Sequence, residues 1–177
     1  DTDIAVMEGN IITGIDHAYF DDDGGSSAGA ITNGFGIACF RVTSCTLSGN
    51  DVADSEFSNV VIATSNFSST DDVIHDGWGR GIQAESSQGT ITNPTFENNR
   101  GAGLVMISST VQGTGGVFRG TLRGPSFIDL DGVDDPAPEE MIYQQGGRAI
   151  ESLASGGNAF LSWDGGLFED NILGGIY

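Results

Sequence analysis

The stretch FIDLDGVDDPAPEE brings Asp129, Asp131, Asp134, Asp135, Glu139 and Glu140 into one short run, with Arg123 before it and Arg148 after it. Closely spaced carboxylates around a glycine suit a hard cation, so Asp129, Asp131, Asp134 and Asp135 are the candidate ligands of a calcium ion (Ca2+). The full EF-hand spacing is missing, and the simpler account is a solvated acidic loop inserted at 129–145. If the chain instead processes an acidic glycan, the residues to expect are Arg148 and Asp131, because a guanidinium can hold a uronate carboxylate. A second acidic run, Asp21, Asp22 and Asp23 in YFDDDGGSSAG, ranks below the first. His75, beside Asp76 and near Arg80, is the other group of catalytic type; with Trp78 it reads better as the packing of a turn. Cys39 and Cys45, six positions apart, can form a disulfide, or Cys39 can simply fill core as a small apolar group. No His/Cys cluster near them makes a zinc site.

The elements that would position these groups are repetitive. TFENNRGAGLVM (95–106) and LFEDNILGGIY (167–177) share one frame: Phe96 falls on Phe168, Asn99 on Asn171, Gly103 on Gly175 and Leu104 on Ile176. An apolar residue opening a strand-like stretch, in most units just after a small residue, recurs at Ile15, Ile37, Val61, Ile82, Leu104, Phe127, Ile150 and Ile176. These positions lie 22, 24, 21, 22, 23, 23 and 26 residues apart. A near-constant period in this range signals a repeat architecture. Glycine, serine, threonine and asparagine interrupt every window long enough for an amphipathic helix, leaving short strands such as GIQAE, GLVMIS and NVVIATS. Such a unit buries its apolar residues only by stacking on its neighbours. The expectation is an all-β single-stranded parallel β-helix of about seven coils over 1–177, one domain and a segment of a longer solenoid. A β-sandwich would not repeat at a fixed coil length, and the leucine-rich-repeat frame is absent.

The run GRGIQAESSQGTITNPTFENNRGAGLVM resembles the coils of right-handed parallel β-helix proteins of the pectate-lyase-like superfamily, most of all long bacterial secreted β-helix repeat proteins. The resemblance implies fold more than function, since the superfamily holds lyases, hydrolases, epimerases, adhesins and phage tailspikes. It also implies that chemistry, where present, sits on the outer face of one parallel sheet, with an Arg or Lys as lyase base or clustered carboxylates for hydrolysis. The repeat places Ile37, Ile82, Leu104, Ile150 and Ile176 in an internal stack. Asn50, Asn99 and Asn171 are expected in an asparagine ladder, and Phe96 and Phe168 on an inner face with Leu47 as their equivalent. One outward row is then Asp16, Ala38, Ile62, Gln83, Val105, Ile128 and Glu151. The next is Ala18, Phe40, Thr64, Glu85, Ile107, Leu130 and Leu153. These rows are largely apolar, and on this register Asp16, Glu85 and Glu151 stand about three coils apart from one another, too far to act as a pair.

Charge narrows the partners. The chain carries 25 acidic residues against 6 arginines, has no lysine, and bears a formal net charge of -19. Such a surface repels DNA, RNA and anionic lipid, and no apolar run is long enough to enter a membrane as a spanning helix. The sequence therefore reads as a non-catalytic extracellular or cell-surface β-helix scaffold or adhesin, calcium-stabilised if the acidic loop binds the ion. The alternatives are a polysaccharide lyase or hydrolase acting on acidic glycans, and a phage-type fibre. The expected partners are a surface glycan or protein, and further β-helix coils or another chain at an open C-terminal end.

Overall fold

Alternation of apolar and polar residues in short stretches, closed at two of the three corners of each coil by a residue that tolerates left-handed backbone, winds the chain into a parallel β-helix. The computed structural model describes residues 3–15, 34–55, 57–124, 145–154, 157–172 and 174–176. Three six-stranded parallel sheets form its faces. Sheet 1 consists of Ile4–Glu8, Ser44–Ser48, Asn66–Thr70, Gln88–Thr92, Thr110–Thr114 and Phe160–Asp164. Sheet 2 consists of Ile11–Ile12, Asp51–Ala53, Val73–His75, Thr95–Glu97, Val117–Arg119 and Leu167–Glu169. Sheet 3 consists of Phe35–Phe40, Ser58–Ala63, Arg80–Glu85, Ala102–Ile107, Arg148–Leu153 and Gly174–Ile176. Each coil visits the sheets in that order.

The corners repeat as faithfully as the strands. Sheet 1 ends on Gly49, Asp71, Asn93 and Gly115, and sheet 2 on Asp54, Asp76, Asn98 and Gly120, all at positive φ. Glycine, Asn and Asp occupy this region at the least steric cost, which is why they punctuate the sequence at coil intervals. Inside the corners run polar ladders. Asn99 accepts from Gly77 N (3.2 Å) and Asn59 Nδ2 (3.0 Å) and donates to Ile74 O (2.8 Å); Asn171 accepts from Thr121 N (3.2 Å) and donates to Phe118 O (3.0 Å). Asn50 belongs to a different corner, between sheets 1 and 2. There it bonds Asn10 and the buried Asp72, whose other carboxylate oxygen accepts from Ser69 Oγ at 2.6 Å. A third ladder runs between sheets 3 and 1, where the backbone N–H of Ser65 donates to Ser87 Oγ and that of Ser87 to Ser109 Oγ.

The internal stack exists and holds all five residues placed in it, while Val61 and Ile15, two of the other recurring positions, lie off its line. Ile37, Val60, Ile82, Leu104, Ile150 and Ile176 pair in one line, so Val60 holds the place assigned to Val61. Asn59 occupies the position before the aliphatic where neighbouring coils have Gly36 and Gly81, and this hides the register. Leu104 pairs directly with Ile150, so the two are neighbours in the stack; Phe127, midway between them in sequence, lies outside the described residues. Ile15 bridges Ser55 instead of pairing with Ile37. There are therefore about six coils, not seven. The 46 residues from Leu104 to Ile150 (150 − 104) lead from one sheet 3 strand to its neighbour; within them Arg123–Gly124 pairs antiparallel with Gln145–Gly146, and 125–144 lie outside the described residues.

The phenylalanines stack on sheet 2: Phe96, Phe118 and Phe168 succeed one another with ring centroids 4.8 Å apart. Their equivalents in earlier coils are Ile74 and Val52. Leu47 lies on sheet 1, paired with Met7 and Ser69, and is not the equivalent of Phe96. At Gly103 the need for glycine is one of space: an added Cβ would lie 2.8 Å from Ala149 O and 3.1 Å from Phe96 Cβ. Its φ is not positive, so close packing and not backbone freedom requires the glycine. Cys39 and Cys45 form a disulfide that closes the turn from sheet 3 to sheet 1, both residues buried.

Candidate functional site

Corrected by one residue at Val60, the outward rows of sheet 3 read Ala38, Val61, Gln83, Val105, Glu151 and Phe40, Ala63, Glu85, Ile107, Leu153. Ile62 points inward and Thr64 lies in the corner. Glu85 and Glu151 sit on strands separated only by Ala102–Ile107, not three coils apart, because the supposed coil at Phe127 does not intervene. Their Cα positions are about 12 Å apart at ordinary strand spacings. Although they face outward, Val61, Gln83, Val105 and Glu151 are all buried; Glu151 is 8% exposed.

Two polar pairs are set into this face. Arg148 Nη1 donates to Glu151 Oε1 at 2.9 Å, and Arg80 Nη1 donates to Gln83 Oε1. Both pairs use the same two columns of the sheet, and the strand between them carries Ala102 and Val105 there. Burial is the largest influence on Arg80 and lowers its pKa; the charges of Glu151 and Glu85 push in the opposite direction. Its guanidinium also lies 5.8 Å from the centroid of the Phe57 ring. The structure thus brings Arg148 together with Glu151. Asp131, its expected companion, lies outside the described residues, as do the calcium candidates Asp129, Asp134 and Asp135, the neighbouring Glu139 and Glu140, and Asp16 and Asp21–Asp23. Among the described residues no three His, Cys, Asp or Glu side chains converge to hold a metal ion. Nor, among them, is any helix long and apolar enough to cross a membrane.

His75 stands on the outer face of sheet 2. Nδ1 meets Asp76 Oδ2 at 2.7 Å and Nε2 meets Asp51 Oδ1 at 2.9 Å, while Asn98 Nδ2 donates to Asp76 Oδ1 at 3.2 Å. Burial, the largest single influence, lowers the His75 pKa. The hydrogen bonds and charges of Asp76 and Asp51 together outweigh it, so the pKa ends above the ordinary 6.5. Asp76 is correspondingly lowered, first by its hydrogen bond to His75. The Trp78 ring lies under Arg100, its centroid 4.6 Å from the guanidinium carbon.

The sequence reading missed sheet 1. Its four central strands, Ser44–Ser48, Asn66–Thr70, Gln88–Thr92 and Thr110–Thr114, turn their first, third and fifth residues outward. All twelve of those positions (4 × 3) are Ser, Thr, Asn or Gln, and none of the four strands contains a charged residue. Writing NFSST, QGTIT and TVQGT at their 22-residue spacing exposes the pattern, but only once the strands are known to face the same way.

No family model and no curated protein matches the chain. Its fold is similar to that of the crystal structure of the periplasmic alginate epimerase AlgG, with a TM-score of 0.50 and 14% identity over 98% of this chain. The fold is a right-handed parallel β-helix. The chain spans 39% of the length of that structure's chain, and at this identity the likeness concerns the fold alone.

Proposed function

We propose that the chain is a non-catalytic β-helix scaffold or adhesin of an extracytoplasmic surface. The observation that carries this reading is the pairing on sheet 3. The fold's usual place for glycan chemistry holds Arg148 bonded to Glu151 and Arg80 bonded to Gln83, in a largely buried face. A guanidinium held by its own strand's carboxylate is a structural fixture; to act as base or uronate clamp it must first give up that partner. The Cys39–Cys45 disulfide supports a location outside the cytoplasm, where such bonds persist.

The test is incubation with pectate, polygalacturonate and alginate, followed by absorbance of unsaturated uronates, reducing ends and NMR of uronate configuration. We expect no change in any readout. Sustained product formation that is lost on Arg148→Ala would replace the scaffold with a polysaccharide-processing enzyme.

A further inference from the structure

We infer that the outer face of sheet 1 is a docking platform for a neutral polysaccharide, centred on Asn66, Gln88, Thr90, Thr110 and Gln112. The inference rests on the scaffold reading and names the ligand class that such a scaffold would hold. Those five side chains, with Gly89 at the floor, line a shallow depression of about 270 Å³. Strand spacing of ~4.8 Å and a side-chain repeat of ~6.7 Å along each strand make the face a regular grid of donors and acceptors. Among the described residues, the side chains of Gln88, Thr90, Thr110 and Gln112 make no hydrogen bond within the protein. Asn66 is oriented by donation from Nδ2 to Thr43 O at 3.2 Å.

Charge selects the ligand. In a chain of net charge -19, the four central strands of this sheet carry no acid and no base. Nucleic acid and polyuronates gain nothing from a face without cations and are repelled by the rest of the molecule. A metal ion finds no carboxylate there. A protein partner would need buried aromatic or arginine anchors, and the centre of this face has none. A neutral polysaccharide presents adjacent hydroxyls that both donate and accept. Side-chain amides answer with an acceptor and two donors each, and Thr hydroxyls with both functions. At the margin, Phe160 pairs with Thr110 and is 57% exposed, which offers a ring to the apolar face of a sugar.

Native affinity electrophoresis tests this with hydroxyethylcellulose, xyloglucan, galactomannan and dextran in the gel, and polygalacturonate and alginate as charged controls. We expect at least one neutral polymer to retard the protein and neither polyuronate to do so. Gln88→Ala with Gln112→Ala should weaken that retardation about tenfold, and Thr90→Glu should abolish it. Glu97→Gln on sheet 2 should leave it unchanged. All are exposed or half-exposed positions, and unchanged thermal melting confirms that the variants fold. Retardation by none of the neutral polymers, by polyuronates alone, or equally by wild type and Thr90→Glu would overturn the proposal. Those results would leave the scaffold reading intact, since only uronate turnover bears on that.

Discussion

Replacing Phe118 by alanine should be among the most damaging single changes in the chain, and Phe168→Ala should be mild. Phe118 is fully buried, stacked 4.8 Å from both Phe96 and Phe168, with the Trp163 ring 5.0 Å away at a steep angle. A buried Phe→Ala change costs about 3–5 kcal/mol through lost transfer energy and the residual cavity. Three ring neighbours, at roughly 0.5–1.5 kcal/mol per favourable pair, place Phe118 near the top of that range, about 4–5 kcal/mol. Phe168 lies on the last strand of sheet 2, is half-buried and stacks on Phe118 alone. Its removal should cost about 1–2 kcal/mol. Because a solenoid couples each coil only to its neighbours, the loss at Phe118 should loosen the final coil first. Urea titrations read by far-UV circular dichroism and by Trp163 fluorescence, in a Trp78→Phe background, measure both effects. The fluorescence transition should move to lower urea than the dichroism transition in Phe118→Ala. A Phe118→Ala cost no larger than that of Phe168→Ala would refute the stacked-column account of the core.

Three further outcomes are expected. The Cys39→Ala, Cys45→Ala double variant should lose about 2 kcal/mol in urea, the magnitude for closing so short a loop, and an unchanged midpoint would show the disulfide to be energetically idle. For His75, whose folded pKa is raised, the associated stability is complete below 6.5 and is lost as pH rises through the folded value. Asp51→Asn should lower the NMR titration midpoint of this histidine, and a midpoint that stays put would count against the Asp51 contact. Asn99→Ala strands the Ile74 carbonyl and the donors of Gly77 and Asn59, so it should cost about 2–4 kcal/mol, whereas exposed Asn98→Ala gives up only the left-handed preference of asparagine and an exposed bond to Asp76 and should cost about 1 kcal/mol in the same titration.

The period and the core columns are legible in the sequence because they are properties of the corners. Each coil spends a Gly, Asn or Asp on left-handed backbone at fixed offsets, and these residues are visible whatever the strands between them do. Register is harder. Asn59 replaces the glycine that marks the corner in neighbouring coils, and its side chain turns inward to Asn99 instead of signalling a bend. Val60 and Val61 then look alike, and a slip of one residue exchanges the inward and outward rows of the strand. The Asn50 assignment fails for a related reason: two corners use buried Asn ladders, and nothing in a lone asparagine says which corner it serves.

Coil count and candidate chemistry fail together. The Leu104 to Ile150 interval equals two ordinary periods although the two strands are neighbours, so an apolar Phe127 at its sequence midpoint mimics a coil. Counting that coil separates Glu85 from Glu151 and hides the repetition of Arg80–Gln83 in Arg148–Glu151. Removing it sets the two polar pairs on alternate strands of one face, with Arg80 close enough to feel the charge of Glu151. The neutral face of sheet 1 escapes for the opposite reason. Its residues belong to no motif and carry no charge, and serine or threonine alternating with apolar residues is what any half-exposed strand displays. Only stacking four such strands in register turns an unremarked composition into twelve uncharged hydrogen-bonding groups on one plane. In a β-helix the chemistry of a face is set across coils, perpendicular to the chain. A one-residue slip or one false coil therefore leaves the fold recognisable while erasing the site.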